Sequence, residues 1–445
     1  MTSLTIAIVF TFIVGYLCIA FESSLKINKA AIALLMCVAT WTLFMLDPGS
    51  YITGLAAELP QKVSEILKEH LGETGETLFF LMGAMTIVEI VDKNGGFNFV
   101  RNMMATTNKR KLLWRIAFMT FVLSAILDNL TTSIVMVMVL RKLVSDRNDR
   151  LIYASLIIIS ANSGGAFSPI GDVTTIMLWI KGTITTQGVI TEIFIPSLVS
   201  MIIPAIILQY YLKGELAPTG KQGKQQATPS MLTKRQRNVV FILGVGGLMF
   251  VPIFRYLTDL PPFMGILLIL GILWAATELF YRNKQGARDD FSKRVSHLLG
   301  NIDMATILFF LGILMAVACL QEVGVLTTLG ESLDKISGGN HYLVTGIIGI
   351  LSSIVDNVPL VAGCMGMYPI ADTGALAVDG IFWQLLAYCA GVGGSMLIIG
   401  SAAGVIVMGL EKITFGWYLR RITWIVFVGY IAGMASYWIL DNFLF

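Results

Sequence analysis

Twice in this chain an Asp-Asn pair interrupts a long apolar stretch. Asp128-Asn129 lies inside the run 112–140, and Asp356-Asn357 lies inside the run 342–369, 228 residues further on. A carboxylate at bilayer depth costs about 2.5–3.5 kcal/mol even on the lenient insertion scale, so an acid there implies a functional site. Two such acids in matching positions point to one site built from two halves. Composition sets the depth: the 445 residues are 56% apolar and 13% charged, with a mean hydropathy of +0.78. Soluble domains carry about 25% charged residues, so the expectation is an all-α integral membrane protein in a lipid bilayer, with no nucleic-acid partner. The first apolar run, 4–20, lacks a basic leader and a small-residue cleavage site and reads as a retained span. The five cysteines stand singly in apolar segments, where packing is the expected role. No Gly-x-x-x-x-Gly-Lys-Ser/Thr loop is present, so ATP is not expected as a partner.

Spans are expected at 4–20, 30–46, 77–91, 151–181, 193–212, 239–257, 262–281, 304–321, 381–410 and 422–441. The loops 21–29, 92–111, 141–150, 213–238, 282–303 and 411–421 then hold most of the 31 Lys and Arg residues, which makes them cytoplasmic. The opposite side keeps Lys62, Lys68, Lys181, Arg255 and Lys335, and both termini fall on that outer side. This separation requires that the two Asp-Asn runs do not cross. Lys109-Arg110-Lys111 and Arg141-Lys142 bracket 112–140, and each arm is shorter than the ~20 residues that span a bilayer. That run therefore reads as a re-entrant helical hairpin with Asp128-Asn129 near its tip. Between Lys335 and Lys412 there is no Lys or Arg, so 342–369 reads as a second hairpin, opening to the other face.

Other matches keep the same spacing. Phe79-Phe80-Leu81 resembles Phe309-Phe310-Leu311, Gly95 pairs with Gly324, Gly164-Gly165 with Gly393-Gly394, and Gly171-Asp172 with Gly400-Ser401, all 228 to 230 residues apart. The expectation is an inverted structural repeat, 1–212 and 239–445, joined by a cytoplasmic linker at 213–238. Each half holds five crossings and one hairpin, about 10 transmembrane spans in all, and an odd number of crossings inverts the second half. The spans 151–181 and 381–410 are longer than needed and carry glycines and polar residues at their centres, with Pro169 in the first. Such irregular backbone at depth is tolerated where it lines a cavity or is buried in protein. Two hairpin tips and two broken helices would enclose one midplane chamber.

At these residues the chain resembles the sodium/proton antiporters of the NhaD type, within the ion transporter superfamily that also holds sodium-coupled dicarboxylate carriers. The resemblance covers nearly the whole chain. It is carried by Ser124-Ala125-Ile126-Leu127-Asp128-Asn129-Leu130-Thr131-Thr132, by 162–175, and by Ser352-Ser353-Ile354-Val355-Asp356-Asn357-Val358-Pro359. It implies a dimerising scaffold and a transport part that carries the hairpins and moves as an elevator. It also implies a homodimer, no cofactor, and a bacterial-type inner membrane. The dicarboxylate carriers have neutral Ser-Asn-Thr tips, whereas this chain has Asp at both, which suits a cation.

The cation- and proton-binding candidates are the acids Asp128, Asp172 and Asp356, which are also the candidate Na+ ligands. Asn129, Asn357, Thr131, Asn162, Ser163, Thr174, Thr175, Ser395 and Ser401 complete the oxygen shell. Plainer roles compete for each of them. Asp and Asn cap helices and fill turns, and Gly and Ser permit close helix packing. Glu89, Asp92, Glu278 and Asp303 sit at span ends, and His70, His297 and His341 in expected loops. The stretches 98–108, 291–299 and 326–336 read as interfacial amphipathic connectors, and 56–70 as an outer surface helix.

The function expected is exchange of Na+ and Li+ for H+, serving pH homeostasis. A carboxylate taken out of water holds its proton more tightly, so cation and proton compete for the same oxygens. The alternatives are a sodium-coupled oxyanion or dicarboxylate symporter and, more remotely, an intramembrane aspartyl protease.

Overall fold

The computed structural model describes residues 2–20, 25–52, 58–97, 100, 103–104, 106–216, 232–282, 295–354 and 356–443. Among them the only extended pairing is two isolated bridges; the rest of the regular structure is helical. The first half comprises α1 (Ser3–Ala20), α2 (Lys29–Leu46), α3 (Leu59–Lys93), α4 (Lys109–Leu127), α5 (Asn129–Leu143), α6 (Arg147–Ala166), α7 (Val173–Lys181) and α8 (Thr186–Leu208). The second half follows with α9 (Lys234–Thr258), α10 (Pro262–Arg282), α11 (Met304–Glu322), α12 (Val325–Ser337), α13 (His341–Ser352) and α14 (Asn357–Met367). It ends with α15 (Ile381–Gly393), α16 (Ala402–Glu411), α17 (Phe415–Arg421) and α18 (Thr423–Phe443). Among the described residues, 7 helices (α2, α3, α8, α9, α10, α11 and α18) are long and apolar enough to cross a bilayer. A helix suits lipid because it satisfies its backbone groups internally.

Short polar residues set the helix starts. Asn108 receives the amide N–H of Lys111 at 3.0 Å and Asn340 that of Leu343 at 3.1 Å, so a capping Asn opens each Asp-Asn run. Both runs then break where the sequence places the acid. Asp128 separates α4 from α5, and 353–356 separate α13 from α14.

The helices pack into two groups. In one, α1 lies on α2, α2 on α11, and α3 on α9, α10 and α11. In the other, α4 and α5 pack on α6, α13 on α15, α8 on α18, and α16 on α5 and α6. The groups meet where α14 touches α11, α7 touches α3, and α4 touches α9. Phe10, Leu35, Ile242, Leu257 and Trp438 are exposed on outer faces. By contrast every residue from Phe382 to Gly393 of α15 is buried, as is most of α6. A helix buried on every side belongs at the centre of a bundle, and α6 and α15 are the helices that break.

Some expectations need correction. The 56–70 surface helix and the 77–91 span are one helix, α3, of 35 residues; residues 56 and 57 lie outside the described ones. Gly72 and Gly75 have nothing within 4 Å. Each costs about 1 kcal/mol relative to Ala, too little to end a helix that continues on both sides. His70, expected in a loop, therefore sits on α3. His297 lies in the short turn Val295–Leu298, and His341 opens α13. The 193–212 span starts earlier, at Thr186, and tolerates Pro196 and Pro204 inside it. After α16 the chain turns by 113° into α17. The connector 326–336 is α12, whereas much of 98–108, 213–238 and 291–299 lies outside the described residues. Cys319, Cys364 and Cys389 are buried, and Cys18 and Cys37 are half-buried.

Candidate functional site

Glycine lets the first arm of each Asp-Asn run lie against a broken helix. A Cβ on Gly164 of α6 would run into the Phe121 carbonyl of α4, and one on Gly393 of α15 into the Gly349 carbonyl of α13. Serine fastens both contacts. Ser124 Oγ donates to the Ala161 carbonyl at 2.6 Å, and Ser352 Oγ to the Ala390 carbonyl at 2.8 Å. The breaks then begin new helices alike: Asp172 (φ −145°, ψ 147°) caps α7, and Ser401 (φ −143°, ψ 153°) caps α16.

Asp172 is the hub, only 1% exposed. Its Oδ1 accepts from the Thr174 amide N–H and hydroxyl, both at 3.0 Å. Its Oδ2 accepts from Asn129 Nδ2 at 2.6 Å, and Asn357 Nδ2 stands 3.4 Å from Oδ1. One Asn from each tip therefore reaches the same carboxylate. The Asn129 amide also donates to Asn162 Oδ1 at 3.1 Å. Asn162 in turn donates to Ser395 Oγ at 2.8 Å and Ser401 Oγ at 2.9 Å. Residues 185 to 239 positions apart in sequence are thus joined in one buried polar network.

The tip acids are placed differently. Asp128 accepts from the Thr131 amide and the Thr131 hydroxyl, each at 2.8 Å, and lines a small cavity with Phe80, Leu81 and Leu248. Asp356 accepts from the Val358 amide at 3.3 Å and forms an ion pair with Lys29 at 3.2 Å. Both lie within electrostatic reach of Asp172. Yet among the described residues no three acidic, histidine or cysteine side chains form one metal-binding cluster. Of the three acids expected as Na+ ligands, Asp172 is central, with Asp128 and Asp356 flanking it. Like charges repel, and each tip acid is held by the helix it caps. Thr175 bonds the Asp172 carbonyl at 2.9 Å, and Ser163 faces Ser200 of α8 at 2.9 Å rather than the network.

Three polar features escaped the sequence. Lys29 stood as a loop residue. Glu411, buried at the end of α16, is clamped by Arg141 at 2.6 Å and Arg150 at 3.0 Å, which ties the first Asp-Asn run to α16. A cavity of about 380 Å³ opens between the two groups, lined by His70, Glu73, Glu76, Lys181 and Ala362. In it Lys181 pairs with Glu73 at 2.8 Å, while His70 meets Glu322 nearby at 3.0 Å. Periodicity offered no signal for any of these pairings.

Broken helices whose ends meet in a buried polar network, within a bundle of apolar spans, fit a membrane transporter, and the proteins this chain is similar to are transporters. The citrate transporter family profile matches residues 16–387. Sodium/proton antiporter 1 of Arabidopsis thaliana is 43% identical over 99% of this chain and 73% of its own length. The Na(+)/H(+) antiporter NhaD of Alkalimonas amylolytica is 29% identical over 98% of this chain and 90% of its own. The chain belongs to this family, among its NhaD-type sodium/proton antiporters. The solved YdaH transporter of Alcanivorax borkumensis is similar in fold, with a TM-score of 0.62 at 11% identity over 94% of this chain and 99% of that one.

Proposed function

We propose that this chain is a secondary active transporter that exchanges Na+ and Li+ for H+, the two competing for buried carboxylates. The observation that carries this is Asp172, a buried acid met by an Asn from each tip. The Asn129 amide nitrogen sits between Asp172 Oδ2 and Asn162 Oδ1, a point where a hard cation would find two oxygens. Asn357, Thr174, Ser395 and Ser401 add further oxygens around it, and Thr131, Thr175 and Ser163 brace the shell. Asp128 and Asp356 flank it and deepen its negative potential. Either a cation or a proton relieves that charge, and a site carrying neither resists transfer through a low-dielectric barrier. Coupled exchange follows without a separate gate.

On this reading 1–212 and 239–445 are inverted repeats joined by 213–238, with about 10 crossings and two re-entrant hairpins. The group containing α4–α8 and α13–α18 moves as an elevator against the other, which dimerises. The charge asymmetry of the loops puts both termini outside. Relatives are named from a plant and from bacteria alike.

The name of the family profile favours a second reading, sodium-coupled uptake of a carboxylate. An anion would meet Asp172 with two more acids in electrostatic reach, which disfavours it. Everted vesicles decide. Sodium addition should collapse a respiratory pH gradient with the unaltered protein and fail to do so with Asp172→Asn. Retained exchange in that variant, or sodium uptake that depends on citrate, would falsify the assignment.

A further inference from the structure

Lys29 is the first residue of α2, and its Nζ lies 3.2 Å from Asp356 Oδ2 and 4.3 Å from the ring centroid of Phe309 on α11. The ion pair crosses between the two packing groups. Both side chains are largely out of solvent, 26% exposed for the lysine and 16% for the acid. An ammonium in that position has traded hydration for a carboxylate and an aromatic face. Tyr16 on α1 adds a buried hydroxyl with no hydrogen-bond partner among the described residues, close enough to Asp356 to feel its charge. Among the described residues the other tip shows no such ion pair. Asp128 bonds Thr131, and α10, which follows α9 as α2 follows α1, opens on Pro262.

We propose that the Lys29 ammonium is a tethered cation that holds Asp356, beside the Asp172 site, when no alkali ion is bound and is displaced when one binds. This rests on the cation-exchange reading above and adds a positioning residue to it. What changes on binding is the partner of Asp356. A tethered cation of this kind has two effects. It weakens sodium binding by competition and so speeds sodium release. It also ties the second tip to α2 until sodium frees it. A lysine that only braced α2 would do neither.

The test uses the purified full chain. Sodium binding by calorimetry should tighten in Lys29→Gln by about fivefold or more, the scale of one partly buried ion pair. In reconstituted exchange, KM for sodium and kcat should fall together, and Lys29→Arg should restore wild-type affinity. The unaltered protein provides a second measurement. Labelling of Lys29 by a water-soluble amine-reactive ester, read by mass spectrometry, should rise when sodium replaces choline. Unchanged or weaker sodium affinity in Lys29→Gln, or labelling indifferent to sodium, overturns the proposal. Failure of the unaltered protein to bind sodium or exchange it for protons would instead remove the reading beneath.

Discussion

The two Asp-Asn tips share a sequence signature yet neutralise their acids in opposite ways. At the first, Asp128 adopts φ 81° and ψ 157°, a region that residues other than glycine rarely occupy, and Thr131 donates to both of its carboxylate oxygens. At the second, Asp356 has an ordinary φ of −48° and ψ of 134° and takes an ammonium as its partner. The asparagines do not diverge: Asn129 and Asn357 both turn to Asp172. The shared residue builds the site, and the acids beside it make the halves unequal. A transporter that must accept a cation on one side and release it on the other gains from such inequality.

Neutralising each tip in turn should expose the largest difference between them. Asp356→Asn removes a negative charge and also leaves the Lys29 ammonium without its carboxylate. A net change of this size, at an effective dielectric near 20, is worth about 2–3 kcal/mol, so sodium affinity should fall roughly 100-fold. Asp128→Asn removes one charge and keeps the Thr131 cap, and should cost roughly tenfold. Calorimetric titration of the two variants ranks them. Equal losses would mean that the lysine contributes nothing to the difference, and Lys29→Gln placed on Asp356→Asn should recover part of the larger loss.

Much of this was legible in the sequence, for identifiable reasons. Charges bracketing 112–140 and absent around 342–369 marked two helical pairs meeting at an acid, and the helices break at Asp128 and just before Asn357. Glycines and a proline marked the interruption between Ala166 and Val173, and Asp172 was readable as the cap of the helix that follows. The direction of side chains was not legible. At a break neither the helical nor the strand period fixes where a side chain points, so Asp128 and Asp356 were gathered with Asp172, whereas their hydrogen bonds run to Thr131 and to Lys29. Lys29 itself looked like any basic residue at a span end, where a cytoplasmic anchor is the ordinary role. Its partner lies 327 residues away, and nothing local announces it.

The contacts common to both halves should respond alike, which tests whether the inequality is confined to the tips. Gly164→Ala and Gly393→Ala each push a methyl group into a backbone carbonyl that has no rotamer to yield. Overpacking of this kind costs about 1–3 kcal/mol, and the expected losses in thermal stability are similar in size. Ser124→Ala and Ser352→Ala each delete one buried hydrogen bond to a carbonyl, about 1 kcal/mol apiece. A marked difference between the members of either pair, measured by thermal melting in one detergent, would show that the halves differ well beyond the tips.

The smallest effect is the most discriminating for backbone conformation. Asp128→Gly removes a cap bonded to Thr131, a loss of roughly a few tenths of a kcal/mol when glycine replaces it, but frees a residue at φ 81° whose strain is of the order of 1–3 kcal/mol. The terms oppose each other, so Asp128→Gly should melt within a degree or two of the parent, or slightly above it. Asp356→Gly has no strain to relieve at φ −48° and loses both the cap and the ion pair. It should therefore be destabilised by about 1 kcal/mol. A first tip that melts much lower as glycine would mean that its acid is held without strain, so that the contrast between the two acids lies in Lys29 alone.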